Sequence, residues 1–525
     1  MTERTLEARG RRFAIATPHV AATEAGLAAF AAGGNAVDAA LAAATTLAVV
    51  YPHSCGVGGD LFALVHEPDG RTIALNASGR APLAVDVDAV RRTHASMPDR
   101  GPLTVTVPGA VSGWATLADR WSRLGLVRAL GPAIAAARDG VPTARSVAAA
   151  LTRGADLLAS DRGLRDVFFP SGPPLTEGER LVQPALGTTL EAIAANGPGA
   201  VYGGEVGARL VEGLRGVGSA MTLEDLARHT PELDSPITGR YRDLHVDVVP
   251  PNSQGFVLLE ALAAIERLGI DPDPLGPDAA TLAEVFATTA ADRDRHNADA
   301  RFARVPVGAL LDEGHIAGLV EQVLDREVGE PPVRRHGDTI ALVATDAEGW
   351  AISLVQSLYE GFGSGFLEPT TGIVCHNRGS AFVLEPAHPN VLSGGKRPAH
   401  TLMPVLVHRD GRLGAVSGSR GGGAQPQINA ASIIRAFDLG MDVGEVLDAP
   451  RWLVGGMELR AGRTVEAESR VPDAVLAAFE RRGFEVVRLG ERDEDVGHAH
   501  LIRIAADGTF EAATDPRADG AAAAT

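Results

Sequence analysis

The stretch HGDTIALVATDAEGWAISLVQSLYEGFGSG, residues 336–365, holds the residue on which the reading of the fold turns. Thr339 follows Gly337-Asp338 at the head of a run, TIALVATD, that alternates like a strand, and WAISLVQS reads as a second strand. Taken locally, Thr339 is an ordinary strand residue, because threonine favours strands. Physics gives it one further possibility. A threonine released as a chain N-terminus carries its own base, since an α-amine of pKa about 7.7–8.0 can take the hydroxyl proton near neutral pH. Spacing leaves both readings open.

Working outward, residues 326–337, REVGEPPVRRHG, are polar and rich in Pro and Gly, the composition of an exposed linker that tolerates nicking. Residues 21–50 are alanine-rich and helical, broken into two helices by Gly33-Gly34-Asn35. DLFALVHE and TIALNA flank Pro68-Asp69-Gly70 and read as a hairpin. Residues 110–230 are mainly helical, LHVDVVP (244–250) returns to strand, a helix follows at GFVLLEALAAIERLG, and helices fill 279–325. From residue 365 on, GFLEPTTGIVC, TLMPVLVHR and RLGAVSGS resemble strands, and PQINAASIIRAFDLG and VPDAVLAAFERRG are helical. Helix, strand and helix runs in both halves point to an α+β layered domain rather than a doubly wound parallel sheet. A length of 525 residues suggests three or so domains, though large single sandwiches reach this size.

Composition excludes several classes. Apolar residues at 45% and charged residues at 22% suit a soluble globular chain with a sizeable core. A net charge of −18 argues against nucleic acid or an anionic membrane as partner. Cys55 and Cys375 are the only cysteines, so there is neither a disulfide framework nor a CxxC zinc pattern. The N-terminus lacks an apolar signal core and no window holds 18 uninterrupted apolar residues; the protein reads as cytoplasmic. Lys396, the only lysine, points mildly to a site but is better explained by composition.

The candidate motifs are weighed one by one. SGSRGGGAQP (417–426) and GVGGD (56–60) lack the Gly-Lys-Ser/Thr of a phosphate cradle, so each is a tight turn or a pair of amides aimed at an oxyanion. His376, His388, His400 and His408 fit no metal-ligand spacing, and His498 and His500, two apart on a strand, find no third ligand. There is no Gly-x-Ser-x-Gly elbow and no HExxH.

In order along the chain, AAGGNAVDAALAAATTLAVVYPHSCGVGGDLF, TVPGAVSGW, GDTIALVATDAEGWAISLVQSLYEGFGSG, TGIVCHNRGSAF, GKRPAHTLMP, GSRGGGAQPQ, APRW and ATDPRADG resemble the γ-glutamyltransferase family of N-terminal-nucleophile hydrolases. The match runs from about residue 13 to 520 with no missing block. The resemblance implies a four-layer αββα sandwich built by a single precursor that cuts itself before a threonine, here between Asp338 and Thr339. It implies a large fragment 1–338 and a small fragment 339–525, a heterodimer of the chain's own pieces that can pair in turn. Thr339 becomes the nucleophile and its freed amine the base, Ser357 stands at the family's second hydroxyl, and Gly421 and Gly422 supply the oxyanion amides. No cofactor and no metal are implied, only a small-molecule amide substrate.

The substrate positions depart from the family pattern. Where γ-glutamyl enzymes hold an α-amino group with an Asn, a Gln or Glu, and an Asp, this chain has Tyr359, Arg378 and Ala381. A serine pair for the α-carboxylate becomes His400-Thr401, and the carboxylate-binding arginine maps onto Ser78, with Arg80 two residues closer to Ala81-Pro82. The connection from Val383 to Gly395 is short for the lid of many γ-glutamyl enzymes. An ammonium without a counter-charge would carry a large desolvation cost, and Arg378 favours an anion instead. These replacements resemble the family's oxamate amidohydrolase branch, which implies a compact amide bearing a carboxylate near Arg80, Arg378, His400 and Thr401. Three alternatives stand beside it: γ-glutamyl transfer or glutathione hydrolysis, an acylase of bulkier amides such as β-lactam side chains, and an uncut, inactive binding protein.

Overall fold

The computed structural model describes residues 5–325, 337–455 and 463–525; the linker read at 326–337 lies, apart from Gly337, outside the described residues. Two seven-stranded sheets form the centre. One runs Glu7–Gly10, Phe510–Thr514, Ala499–Ile504, Arg412–Ser419, Val405–Arg409, Leu244–Val248, Ile237–Tyr241. The other runs Ala521–Ala524, Phe13–Thr17, Asp338–Asp346, Ala351–Tyr359, Asp60–His66, Thr72–Ala77, Glu232–Asp234. Neighbours within both are antiparallel.

Side-chain alternation stacks the layers. Ala341 and Val343 face the gap between the sheets, where they meet Leu406, Val416 and Ile502. Ile340, Leu342 and Ala344 point the other way, into a core with Leu41, Leu47 and Trp114 of the N-terminal helices. A third core joins the sheet that contains Val405–Arg409 to its own helices through Val405, Val407, Leu258, Phe286 and Ile428. The order is helix, sheet, sheet, helix, the α+β αββα sandwich expected from the sequence. The chain's length goes into this one sandwich, because both central sheets share an inner core.

The alanine-rich region divides as its Gly-Gly-Asn break requires, into helices Val20–Ala31 and Ala36–Val50. Asn35 accepts from the Val37 and Asp38 amides, and Asp38 returns a bond to the Asn35 amide at 2.9 Å, a reciprocal cap. Every residue of Ala36–Val50 is buried, so small side chains let the helix lie close to the sheet. Gln356 joins the layers, accepting from Trp114 Nε1 at 3.1 Å and donating to Ala44 O at 2.8 Å.

The 366–375 segment departs from its reading as an extended strand run. It keeps only the two-residue strands Leu367–Glu368 and Ile373–Val374, because Pro369 and the left-handed Gly372 (φ 70°) force a tight turn between them. No helix among the described residues is long and apolar enough to cross a membrane.

Candidate active site

The two strands of the opening stretch pair with an irregularity at their end. Asp338 faces Tyr359 but Ile340 faces Gln356, so Ser357 and Leu358 together oppose Thr339. Such a bulge re-aims side chains. Here it sets Thr339 Oγ1 3.0 Å from Ser357 Oγ, with both residues buried.

Three contacts fix the proton directions. The Tyr359 amide donates to Ser357 Oγ at 2.7 Å, so Ser357 accepts there. Ser357 donates to the Asp338 carbonyl oxygen at 2.6 Å, which spends its only proton. The Thr339 hydroxyl must therefore donate to Ser357. The carbonyl engaged is that of the peptide bond preceding Thr339. Tyr359 is itself held at φ 80°, sparsely populated for a non-glycine residue.

Asp338 is clamped on the other side of the strand. Ser54 donates to its Oδ1 at 2.6 Å and Arg420 Nε lies 3.2 Å from the same oxygen. Burial alone would push the Asp338 carboxyl up, but Arg420, His53 and the Ser54 hydroxyl outweigh it and hold it below the usual carboxylate range.

The glycine-rich loop closes over this bond. Gly421 (φ 153°) and Gly422 (φ 51°) need glycine's freedom, and they lead directly into the helix Gln425–Ile433. The Ala424 amide bonds Gly421 O at 2.8 Å, which turns the Gly422 N–H, trans to that carbonyl, away from the turn. Gln254 Nε2 donates to Gly422 O at 2.8 Å and Arg293 Nη1 to Gly423 O at 3.1 Å, pinning the loop from two other helices. A Cβ on Gly422 would lie 3.0 Å from Gly337 Cα, so the residue preceding Asp338 is packed directly on the loop. The other glycine motif, GVGGD, serves close approach: a Cβ on Gly59 would overlap the Ser357 carbonyl. It also ends on Asp60.

Beside Tyr359 lies a cavity of about 710 Å³. Its polar wall includes Arg378, Thr401 and Asp294, and its apolar wall includes Met97, Phe382 and Leu384. Arg378 is 1% exposed and stacks on the Tyr359 ring at 3.5 Å. Its Nη2 donates to Thr401 Oγ1 at 2.9 Å and its Nη1 to Ala399 O at 3.3 Å, while its Nε has no hydrogen-bond partner among the described residues. No carboxylate among the described residues forms an ion pair with it, and burial pulls its pKa down. A buried cation of this kind on a cavity wall calls for an anion.

Two expected residues are placed differently. Arg80 does not join Arg378; it lines a separate cavity of about 340 Å³ and its Nη2 is 3.1 Å from Glu232. The edge strand Glu232–Asp234 brings that carboxylate to it. His400 does stand in the wall, but Nε2 donates to Asp60 at 3.1 Å and Nδ1 accepts from the Leu402 amide at 3.3 Å, which leaves no nitrogen for a ligand. Burial, with Arg378 adding to it, pushes His400 down to about 3 against the pull of Asp60, so the ring is neutral. The cavity also holds an acid that the sequence reading did not foresee. Asp294 is in its wall, Oδ1 accepting from Arg293 Nε at 2.7 Å and Oδ2 without a hydrogen-bond partner among the described residues. Ala381 lines the cavity as well, and the short Val383–Gly395 connection contributes Val383, Leu384, Glu385, His388 and Asn390 to its wall.

Among the remaining histidines, His376 Nδ1 is 3.4 Å from Asp60, His388 donates to Asp294 O at 3.0 Å, and His408 pairs with Asp247 at 3.1 Å. His498 lies 3.4 Å from Arg420 and His500 bonds Thr514 at 3.0 Å. Lys396 donates to Pro389 O, bracing the connection. Of the residues not singled out in the sequence, Asp60 and Arg420 sat inside motifs that were. Gln254 and Arg293 carried no signal, being more than 120 residues from the loop they hold.

The profile of the Gamma-glutamyltranspeptidase family matches residues 22–525. Over 523 residues the chain is 37% identical to a Klebsiella pneumoniae protein named oxamate amidohydrolase proenzyme, covering 96% of this chain and 97% of that one. It is 35% identical over 517 residues to a Bacillus subtilis protein named glutathione hydrolase-like YwrD proenzyme, covering 98% of each. The crystal structure of cephalosporin acylase from Bacillus halodurans superposes with a TM-score of 0.90 at 32% identity, covering 100% of this chain and 98% of that one.

Proposed function

The chain belongs to the γ-glutamyltranspeptidase family of enzymes, and from that premise we propose that it is an amidohydrolase that cuts itself between Asp338 and Thr339 and then works through Thr339. The observation that carries the reading is the triangle of Thr339 Oγ1, Ser357 Oγ and the Asp338 carbonyl. In the precursor, Thr339 Oγ attacks the Asp338 carbonyl carbon, and the hydroxyl proton passes to the Thr339 nitrogen as the C–N bond breaks, giving an ester and a free amine. Ser357 donates to the oxygen on which negative charge gathers. Water then opens the ester, leaving a carboxyl on Asp338 and a free amine on Thr339. Departure of Gly337-Asp338 uncovers Gly422.

In turnover, the Thr339 amine takes the hydroxyl proton as Oγ attacks an amide carbonyl, and passes it to the departing amine. The Gly421 and Gly422 amides receive the oxyanion, and water releases the acid from Thr339. Arg378, whose charge has no carboxylate partner among the described residues, favours a substrate with a carboxylate, and Thr401 Oγ1, already accepting from Arg378, keeps a proton to donate to it. Similarity to the oxamate amidohydrolase supports a compact amide of that class.

A second reading has its own support. A cavity of about 710 Å³ with an apolar wall exceeds what an oxamate-sized molecule fills, which favours a bulkier acyl or amine group. Asp294 gives the γ-glutamyl alternative a counter-charge that the sequence reading denied it, but Arg293 already engages that carboxylate.

The test is an intact-mass spectrum of wild type and Thr339→Ala, followed by turnover of oxamate, a bulky acyl amide and a γ-glutamyl anilide. Fragments beginning at Thr339 in wild type alone, with preference for the carboxylate amides, are expected. An uncut wild-type chain sinks the mechanism; preference for the γ-glutamyl anilide sinks the substrate class.

A further inference from the structure

Behind the glycine loop, on the outer face of the sheet that contains Val405–Arg409, three helices bring together groups that the reaction does not use. Glu260 lies on Gly255–Leu268, Asp292 on Ala279–His296 and His315 on Glu313–Asp325. One ligand atom from each lies within 4.8 Å of the other two. His315 Nε2 is 3.0 Å from Asp292 Oδ2 and 3.4 Å from Glu260 Oε1.

Glu260 makes this more than an acidic cluster. It is 0% exposed, and neither of its carboxylate oxygens has a hydrogen-bond partner among the described residues. A buried carboxylate without partners is costly, and native interiors rarely leave one so. His315 cannot satisfy both acids, because its one Nε2–H points at a single acceptor, and Asp292 is the nearer. Arg295 does not help Glu260 either; it lies 3.6 Å from the other oxygen of Asp292.

We propose that Glu260, Asp292 and His315 bind a first-row divalent cation. With metal–ligand bonds of about 2.0–2.2 Å, the edges of a tetrahedral site measure about 3.3–3.6 Å, close to both separations at His315 Nε2. Two carboxylates and one imidazole suit Zn²⁺ or Mn²⁺ better than Ca²⁺, which takes six or more oxygens. Glu260 is buried, but His315 keeps 29% of its side chain exposed, so an ion can reach the site from solvent and a water can complete the shell.

The placement gives the ion a structural role. Gln254 precedes the helix that carries Glu260, and Arg293 follows Asp292 directly; these two residues hold the Gly422 and Gly423 carbonyls. A cation joining Glu260 to Asp292 ties together the two helices that grip the loop. The inference does not depend on cleavage at Asp338–Thr339.

The experiment titrates Zn²⁺ into full-length protein freed of metal by chelation, following heat of binding and thermal midpoint, and repeats it with Glu260→Gln, His315→Ala and the control His408→Ala. Expected are about one equivalent bound by wild type and by the control, an upward shift of the midpoint that grows with zinc concentration, and loss of both in the two site variants. Co²⁺ in place of Zn²⁺ then gives visible absorption that depends on His315. Should Glu260→Gln fail to fold, the partly exposed His315 variant decides alone. No binding by wild type, or equal binding by His315→Ala, overturns the site; displacement of zinc by equimolar Ca²⁺ overturns the assignment of the ion.

Discussion

The Ser357 hydroxyl touches both Thr339, the proposed nucleophile, and the bond proposed to break, so it separates two roles that most residues confuse. Ser357→Ala removes the donor to the Asp338 carbonyl and should slow fragment formation by about 10²–10³, the usual loss for one oxyanion donor, while Ser357→Thr restores it. A gel time course after translation measures this. Arg378 allows a second prediction at the same scale. Arg378→Met keeps the volume and removes a buried charge, so stability should hold or rise. KM for a carboxylate-bearing amide should rise about 10- to 150-fold, the worth of one charged hydrogen bond, while its uncharged ester analogue is unaffected. Equal loss on both substrates would place the carboxylate elsewhere. At this scale Thr339, Ser357, Tyr359, Arg378 and Thr401 were legible because each lies inside a motif whose neighbours are local. Arg80 was not, because its direction is set by Glu232, 152 residues away.

Among the elements, the glycine loop shows why one glycine can serve a precursor and its product differently. A Cβ on Gly337 would overlap the Gly422 backbone, with no flexible side chain to yield. Gly337→Ala should therefore leave most of the chain uncut on an intact-mass spectrum. Gly422→Ala meets Gly337 only before the cut; afterwards only the left-handed conformation remains to be satisfied, at a cost of about 1–2 kcal/mol. It should slow cutting more than it slows turnover by molecules already cut, and equal effects would argue that Gly337 does not leave. The Gly-Gly-Asn break, the Asp69-Gly70 hairpin and the helix after the glycine loop were visible in composition and turn chemistry. The bulge at Thr339 was not, since one extra residue in a ladder leaves both strand patterns intact.

On the scale of the whole molecule, the bond proposed to break lies within a chain whose two parts are interleaved. The strands Asp338–Asp346 and Ala351–Tyr359 sit between Phe13–Thr17 and Asp60–His66, and Glu7–Gly10 pairs with Phe510–Thr514. Fragments 1–338 and 339–525 should therefore co-elute on gel filtration and separate only on denaturation. The interior also holds His229, His400 and His500, pushed by burial down to about 3, 3 and 4. Their folded pKa values lie below the unfolded value of about 6.5, so unfolding takes up protons as pH falls through that value. Stability should be full above pH 6.5 and decline toward pH 4, by up to about 1.4 kcal/mol per pH unit for each ring. Thermal midpoints across pH 7.5–4 measure it, and a flat profile would mean that these rings ionise freely when folded. The sequence by itself determined the α+β class and, through its ordered motifs, the family and the sandwich that the family implies, because apolar period, turn residues and ordered motifs are local or linear properties. Tertiary structure alone decided that His400 is spent on Asp60, that no carboxylate among the described residues pairs with Arg378, that Gln254 and Arg293 hold the glycine loop, and that Glu260, Asp292 and His315 meet. Each of those facts depends on which distant side chain shares a buried space, and burial is what gives an unpaired charge or a single hydrogen bond its energetic weight.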